Sequence, residues 1–432
     1  MKKSSRFNGG VRGHPFFLTI SVITITVIFV WGWDTTPKIT IQLPSKQQFH
    51  VGTTITPHAS NDLEEQHLLP DPKPVSSPPS LDSESNKGNN CNYAVGKWVP
   101  DNGTRPIYSG VDCKKWLSPM ANCRLMKRTD FSYEGFRWKP DNCDVPEFDN
   151  EDFLNRMKNK TIVFMGDSLG RQQYQSLMCM ATGGSRLDSD VEDVGEEYDL
   201  VKPRHAFLPG GSAYRFGRTN TTILFYWSVS LCKLEALNSS DPENGYSAMH
   251  LDRPEKFLTQ YLHKIDVLVL NTKHHWGQAK LDRNKWFLYL NGTPINKKKL
   301  SVANARNIAV TNVINWLNLQ LPQHPGLKVF FRTLSPRHFA NGDWDTGGRC
   351  DSTIPLESGN QVFPWNVSED SPVVEAAKGT GVKVLDITGF SKLRDEAHVS
   401  RFRSKIVLKY DCLHWCLPGI PDEWNKILYA QI

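Results

Sequence analysis

The chain has no cysteine before residue 91, although nine lie from that residue onward in 432 residues. It has no internal repeat, so a repeat array is excluded. It lacks any basic block dense enough for nucleic acid: the formal charge is a mild +6, and Lys-Lys-Lys at 297–299 reads as a solvated loop. It also lacks a second ligand pair at zinc spacing, which argues against a metal site. What is present is enough chain for one large domain or two ordinary ones. A hydrophobic fraction of 39% and 13 Trp suit a globular body with an aromatic-rich surface or cleft.

The first 90 residues differ from the rest. Lys2, Lys3, Arg6 and Arg12 precede an uncharged stretch from Pro15 to Trp33, rich in Ile, Val and Phe. A helix of about 20 apolar residues spans a bilayer. The positive flank stays in the cytoplasm and sends the C-terminal body to the lumen. A cleaved signal peptide would have a shorter apolar core, roughly 7–15 residues, and a small-residue cleavage site. The reading is therefore a cytoplasmic tail (1–14) and a transmembrane signal anchor (15–33), giving a single-pass type II protein. A disordered Pro/Ser-rich stem follows (34–90). Ser76-Ser77-Pro78-Pro79-Ser80 within it is typical of a segment that buries too little apolar surface to fold.

In a lumenal body the nine cysteines form disulfides with at least one thiol left over. Six Asn-x-Ser/Thr sequons agree with that compartment: Asn102, Asn159, Asn220, Asn238, Asn291 and Asn366.

Residues 91–148 hold four cysteines, many turn residues and no long period, and read as an irregular cap stapled onto the next domain. Over 149–432 short apolar runs alternate with amphipathic stretches. Thr161–Met165, Thr222–Trp227, Asp266–Leu270, Leu327–Arg332 and Val382–Ile387 predict buried strands. Arg171–Met180, Pro254–His263, Ala303–Gln320 and Ser371–Lys378 predict helices. In the longest, Val310, Val313, Ile314, Leu317 and Leu321 share a face. This alternation predicts an α/β fold, a parallel sheet flanked by helices.

Two stretches carry chemistry. Thr161-Ile162-Val163-Phe164-Met165-Gly166-Asp167-Ser168-Leu169-Gly170-Arg171 reads as a buried strand running into a turn that presents Ser168. Reactive groups of open α/β sheets sit at such strand ends. A helix starting near Leu169 would aim its positive end there, fit to stabilise an oxyanion. The bland alternative is that Ser168 only caps the helix. Near the C-terminus, Tyr410-Asp411-Cys412-Leu413-His414-Trp415-Cys416 places an acid and a histidine three residues apart. After a strand over Ser404–Lys409, a turn or short helix would point both side chains the same way. Serine, acid and histidine together serve acyl transfer. A surface pair, or a metal site from Cys412, His414 and Cys416, are the alternatives; the metal reading is the weaker, since cysteine is ordinary in an oxidised domain.

Gly166-Asp167-Ser168-Leu169 with a late Asp411-x-x-His414 resembles the SGNH/GDSL hydrolase-like superfamily. More narrowly, the chain resembles the plant trichome birefringence-like family of cell-wall polysaccharide O-acetyltransferases. Cys91-Asn-Tyr-Ala-Val-Gly-Lys-Trp98, Pro106-Ile-Tyr-Ser-Gly110 and Phe136-Arg137-Trp138-Lys139-Pro140-Asp141-Asn142-Cys143 are similar to its N-terminal cysteine-rich segment. Thr333-Leu-Ser335-Pro-Arg-His338-Phe and Gly342-Asp-Trp344-Asp-Thr-Gly-Gly348-Arg-Cys350 are similar to its later blocks.

The resemblance implies an SGNH-like catalytic domain in the Golgi membrane, lumenal, acetylating a hemicellulose such as xylan, xyloglucan or mannan, or a pectin. It implies Ser168 as nucleophile, His414 as general base then acid, and Asp411 as the group that orients the histidine. Arg171 matches a family arginine that faces the oxyanion or substrate, or forms a salt bridge within the fold. It also implies the disulfides Cys91–Cys143, Cys113–Cys179, Cys123–Cys416 and Cys350–Cys412, leaving Cys232 as the odd thiol. No bound cofactor is expected. An acetyl donor is required, acetyl-CoA or another carrier, although the chain shows no coenzyme A motif.

Asn271-Thr-Lys273-His274-His275-Trp276 follows the third strand. Asn271 stands where SGNH enzymes place an oxyanion-hole asparagine, or makes an Asx turn; His274 and Trp276 are further substrate-binding candidates. Lys273 replaces the glycine usual in the family and would crowd the pocket, change the substrate or reduce activity. Three functions stay open: acetyltransferase, carbohydrate acetylesterase with the same triad, and a non-catalytic glycan-binding protein using a Trp-rich cleft.

Overall fold

A computed structural model describes residues 91–432 except 102, 104, 142, 185–189, 201–209, 239–244, 297, 356–369 and 404–409. The expected anchor and stem, the strand over Ser404–Lys409 and the sequons at Asn102 and Asn366 lie outside the described residues. No helix among the described residues is long and apolar enough to cross a membrane.

The strand Thr161–Gly166 (β1) is buried along its whole length. Ile162 and Phe164 enter one core while Val163 and Met165 enter the other. Both faces of the sheet are therefore covered, and the strand reads as a continuous apolar run. It is joined by Thr221–Trp227 (β2), Val267–Leu270 (β3), Lys328–Arg332 (β4) and Lys383–Leu385 (β5) in the order β5-β4-β3-β1-β2, all parallel.

The sheet is not wholly parallel, contrary to the expectation. Beyond β2 it continues with Gly211–Phe216 and then Val191–Asp193, each antiparallel to its neighbour. Phe216 pairs with Thr221 across a tight reversal in which Asn220 takes φ 51°. A connection that short can join only antiparallel strands.

Two helices, Ser168–Ala181 (α1) and Ile420–Tyr429 (α3), lie on the Ile162/Phe164 side. The helix Val302–Gln320 (α2) covers the other side through Val310, Val313, Ile314 and Leu317, the face the sequence marks; Leu321 packs at its edge. The expected helix over Pro254–His263 begins later, as Lys256–Tyr261, because Pro254 ends a strand, Ser247–Pro254. That strand belongs to a second, four-stranded sheet that the sequence did not announce. Met249, Leu251 and Leu288 of this sheet pack on Ala305 and Ala309 of α2.

Residues 91–148 form no separate core. Gly96–Pro100 pairs with Phe136–Pro140, Trp98 opposite Trp138, and Trp138 stacks on Phe390 at 5.0 Å. Trp116, Tyr133 and Trp138 share one core with α1 and α3. Four disulfides join Cys91 to Cys143, Cys113 to Cys179, Cys123 to Cys416 and Cys350 to Cys412, the pairs the resemblance implies. Cys232 is the free cysteine, buried, and burial pushes its thiol pKa up. Of the ten described tryptophans, four are buried and five half-buried. Trp138, Trp415 and Trp424 are fully buried, and among the described residues Trp344 is the exposed one. Asn159, Asn220, Asn238 and Asn291 are exposed, as are Lys298 and Lys299.

Candidate active site

Ser168 is the first residue of α1, directly after β1 and Asp167. The cap is Asp167, not Ser168: its carboxylate accepts the Leu169 N–H at 2.9 Å. The serine hydroxyl is thereby left for other work. The same Asp167 oxygen accepts from the Asn271 side-chain amide at 2.7 Å. A methyl group at Gly166 or Gly170 would lie 2.1 Å or 2.2 Å from Asn271 Oδ1. Both glycines therefore clear space for Asn271 at the end of β3. Burial pushes the Asp167 carboxyl up, but His274, Arg332, His275 and the Asn271 bond outweigh it and hold it below its usual range.

The acid and the histidine lie on a strand, Asp411–Trp415 (β7), rather than in a turn or short helix. It pairs antiparallel with His398–Ser400 (β6). His398 faces Trp415 and Ser400 faces Asp411, so two steps on β6 oppose four on β7. The bulge this forces lets residues three apart aim at one place, where a regular strand would send them to opposite faces.

His414 Nε2 lies 2.7 Å from Ser168 Oγ, and His414 Nδ1 lies 3.0 Å from each oxygen of Asp411. Asp411 also accepts the N–H of His414 at 3.0 Å and a bond from Arg403 at 2.6 Å. Burial pushes its carboxyl up, but His414 and Arg403 overcome this and hold it well below the usual carboxylate range. Cys412 and Cys416 are bound to Cys350 and Cys123, so neither is available as a metal ligand.

Gln172 fixes the distance between the two halves of the site. Its amide donates to the Trp415 carbonyl at 2.7 Å and accepts the Trp415 N–H at 3.0 Å. A side chain of α1 thus acts as a strand partner for the residue after His414. Ser168, Arg171, Gln172 and Gln175 line the cleft together with Arg403, and Ser118, Met120 and Ala121 of the N-terminal segment close it. Their spacing of i, i+3, i+4 and i+7 marks one helix face. That signal was available in the sequence; Arg403 and the cap residues carried none.

Arg171 reaches the cleft with its guanidinium over the rings of Phe225 at 5.0 Å and Trp227 at 4.9 Å. Burial lowers its pKa to about 10. His274 turns away: its Nε2 donates to the Ser335 carbonyl at 2.8 Å, and burial pulls the imidazole down to about 4. Trp276 donates to the Thr272 hydroxyl at 2.7 Å. Neither His274, Trp276 nor Lys273 lines the cleft around Ser168, and no Trp among the described residues does. In place of the expected Trp-rich cleft, the described residues form one lined by arginine, glutamine, Met120 and small residues around Asp411 and His414, with Trp227 under Arg171.

This fold and site define a class. A family model described as "GDSL/SGNH-like Acyl-Esterase family found in Pmr5 and Cas1p" matches residues 145–431, and one described as "PMR5 N terminal Domain" matches 89–144. Among similar proteins of Arabidopsis thaliana, protein trichome birefringence-like 14 is 54% identical over 79% of this chain and 86% of its own length. Protein trichome birefringence-like 15 is 51% identical over 79% of this chain and 70% of its own. Protein trichome birefringence-like 9 is 31% identical over 79% and 83%. The chain belongs to the trichome birefringence-like family, and its larger domain is of the GDSL/SGNH-like acyl-esterase type.

Proposed function

We propose that the chain is an O-acetyltransferase that moves acetyl from a donor to hydroxyls of a plant cell-wall polysaccharide through an acetyl-Ser168 intermediate. The observation that carries this is the unbroken line of hydrogen bonds Asp411–His414–Ser168 at a cleft. His414 Nε2 takes the Ser168 proton as Oγ attacks the acetyl carbonyl. The new C–O bond forms, the donor's bond to acetyl breaks, and the leaving group departs with that proton. A sugar hydroxyl then attacks acetyl-Ser168, His414 takes its proton and returns it to Ser168. Asp411 keeps the Nδ1 proton in place and stabilises the imidazolium. The N-terminal end of α1 lies at the developing oxyanion, and Arg171 meets substrate in the cleft. Asn271 acts one step back, through Asp167.

In this reading the body is lumenal, held in the Golgi membrane by 15–33, and the exposed sequons carry glycans. The donor is acetyl-CoA or another acetyl carrier. A second reading, a carbohydrate acetylesterase, is favoured by the acyl-esterase description of the matching family. The triad is the same and water replaces the sugar.

Purified protein with oligosaccharide acceptors and an acetyl donor, followed by mass spectrometry, separates the two. Gain of acetyl supports transfer; loss from acetylated glycans supports the esterase. Ser168→Ala and His414→Ala lower either turnover by at least about 10³-fold with the fold intact. Full transfer by Ser168→Ala would sink the covalent route.

A further inference from the structure

Behind the catalytic strand lies a second histidine group that the reaction does not use. His338 Nε2 is 3.0 Å from the Lys392 carbonyl, and His398 Nδ1 is 3.1 Å from the carbonyl of His414. The two inner nitrogens, His338 Nδ1 and His398 Nε2, are 2.7 Å apart. Carbonyls only accept, so each outer nitrogen must carry a hydrogen. A neutral imidazole has one N–H. With both outer positions protonated, two neutral rings would oppose two lone pairs at 2.7 Å. One additional proton satisfies all three bonds.

We propose that His338 and His398 share a single proton as an imidazole–imidazolium pair, and that the pair positions His414 through its carbonyl. The brace grips the bulged strand β7 at two points. His398 holds the His414 carbonyl, and the His338 backbone N–H donates to the Cys412 carbonyl at 2.9 Å.

The shared proton rests on the three hydrogen bonds, and the surroundings limit the charge to one. The Trp415 ring stacks on His398 at 3.9 Å and favours a cation, as does Asp411 on β7. Lys392, His414 and Arg128, which donates to the His398 carbonyl at 2.7 Å, oppose it. Arg394 and Glu396, just before β6, neutralise each other. Burial is the largest influence on both rings and holds each below the ordinary imidazole range, and a charge on His338 repels one on His398. The pair therefore takes one proton and not two.

Linkage gives a signature. The folded pair holds one proton. Two unfolded histidines hold two well below about pH 6.5 and none well above it. Stability from the wild-type pair thus rises with pH in acid and falls with pH in alkali. In His338→Gln the lone buried His398 stays neutral, so stability rises through acid and then levels.

Denaturant unfolding of the full-length chain and of His338→Gln, disulfides intact, tests this from pH 5 to 8.5. The difference between them should be level in acid and fall above about pH 7, approaching tenfold in unfolding constant per pH unit. A difference that grows through acid and is level in alkali means two neutral rings and overturns the proposal. If the variant does not fold, ¹⁵N-histidine spectra of the wild type at pH 7.5 decide: a persistent shared N–H signal supports the pair, and two unprotonated ring nitrogens overturn it. Neither readout needs substrate, so each stands apart from the assigned reaction. The positioning role does rest on that reaction: His338→Gln should lower kcat with little change in KM and shift the alkaline limb of the rate profile. An unchanged profile overturns the positioning role.

Discussion

At the scale of single residues, the site depends on groups that hold its parts in place. Asn271 fills the space that Gly166 and Gly170 leave and anchors the cap of α1 through Asp167. A methyl group at position 170 would displace it. Gly170→Ala is expected to unhook Asp167, lower stability by about 1–3 kcal/mol and reduce kcat, measured by urea unfolding and initial rates. Gln172→Ala removes both bonds to Trp415. It should lower kcat more than stability, since the serine–histidine distance loosens while both cores remain. An unaltered kcat in folded Gln172→Ala would remove Gln172 from this role.

At the scale of elements, α3 is the least ordinary. It is buried all round, although it carries Asp422, Glu423, Asn425 and Lys426. Each charge finds a partner from another segment. Arg105 pairs with Glu423, Lys426 reaches Glu147 at 2.9 Å, and Asp422 accepts from Tyr108 at 2.9 Å and Ser176 at 2.6 Å. Arg105→Met leaves Glu423 buried and uncompensated, with an expected loss of about 3–5 kcal/mol. A thermal midpoint equal to wild type would show that the pair contributes nothing.

The same helix shows what the sequence conceals. β1 and α2 were legible because their apolar periods are strong and their burial follows from them. α3 was not, because its charges read as surface until the residues that neutralise them, some 275 to 320 positions away in sequence, are brought alongside. The antiparallel edge strands alternate too weakly to be seen. The triad was named from motif, but its bulged strand was not, since β6 supplies the register that makes the bulge. The two glycines were visible, yet their reason, the side chain of Asn271, comes from another strand.

At the scale of the whole molecule, the N-terminal segment and the end of the chain close one structure. Ser118, Met120 and Ala121 wall the cleft, and Cys123 is bonded to Cys416, two residues beyond His414. Replacing both cysteines of that bond with serine should cost about 2–5 kcal/mol and depress kcat, read by unfolding and by rates on the folded fraction. Stability lost with kcat kept would make the bond a staple only. The separation of 293 residues across this bond has a consequence for biosynthesis. A growing chain carries Ser168 long before Asp411 and His414 exist, and Cys123 waits for a partner made 293 residues later. On the proposed mechanism the serine stays without its base until residues 411–414 have been made, and a chain truncated before residue 411 would carry the proposed nucleophile with nothing to activate it.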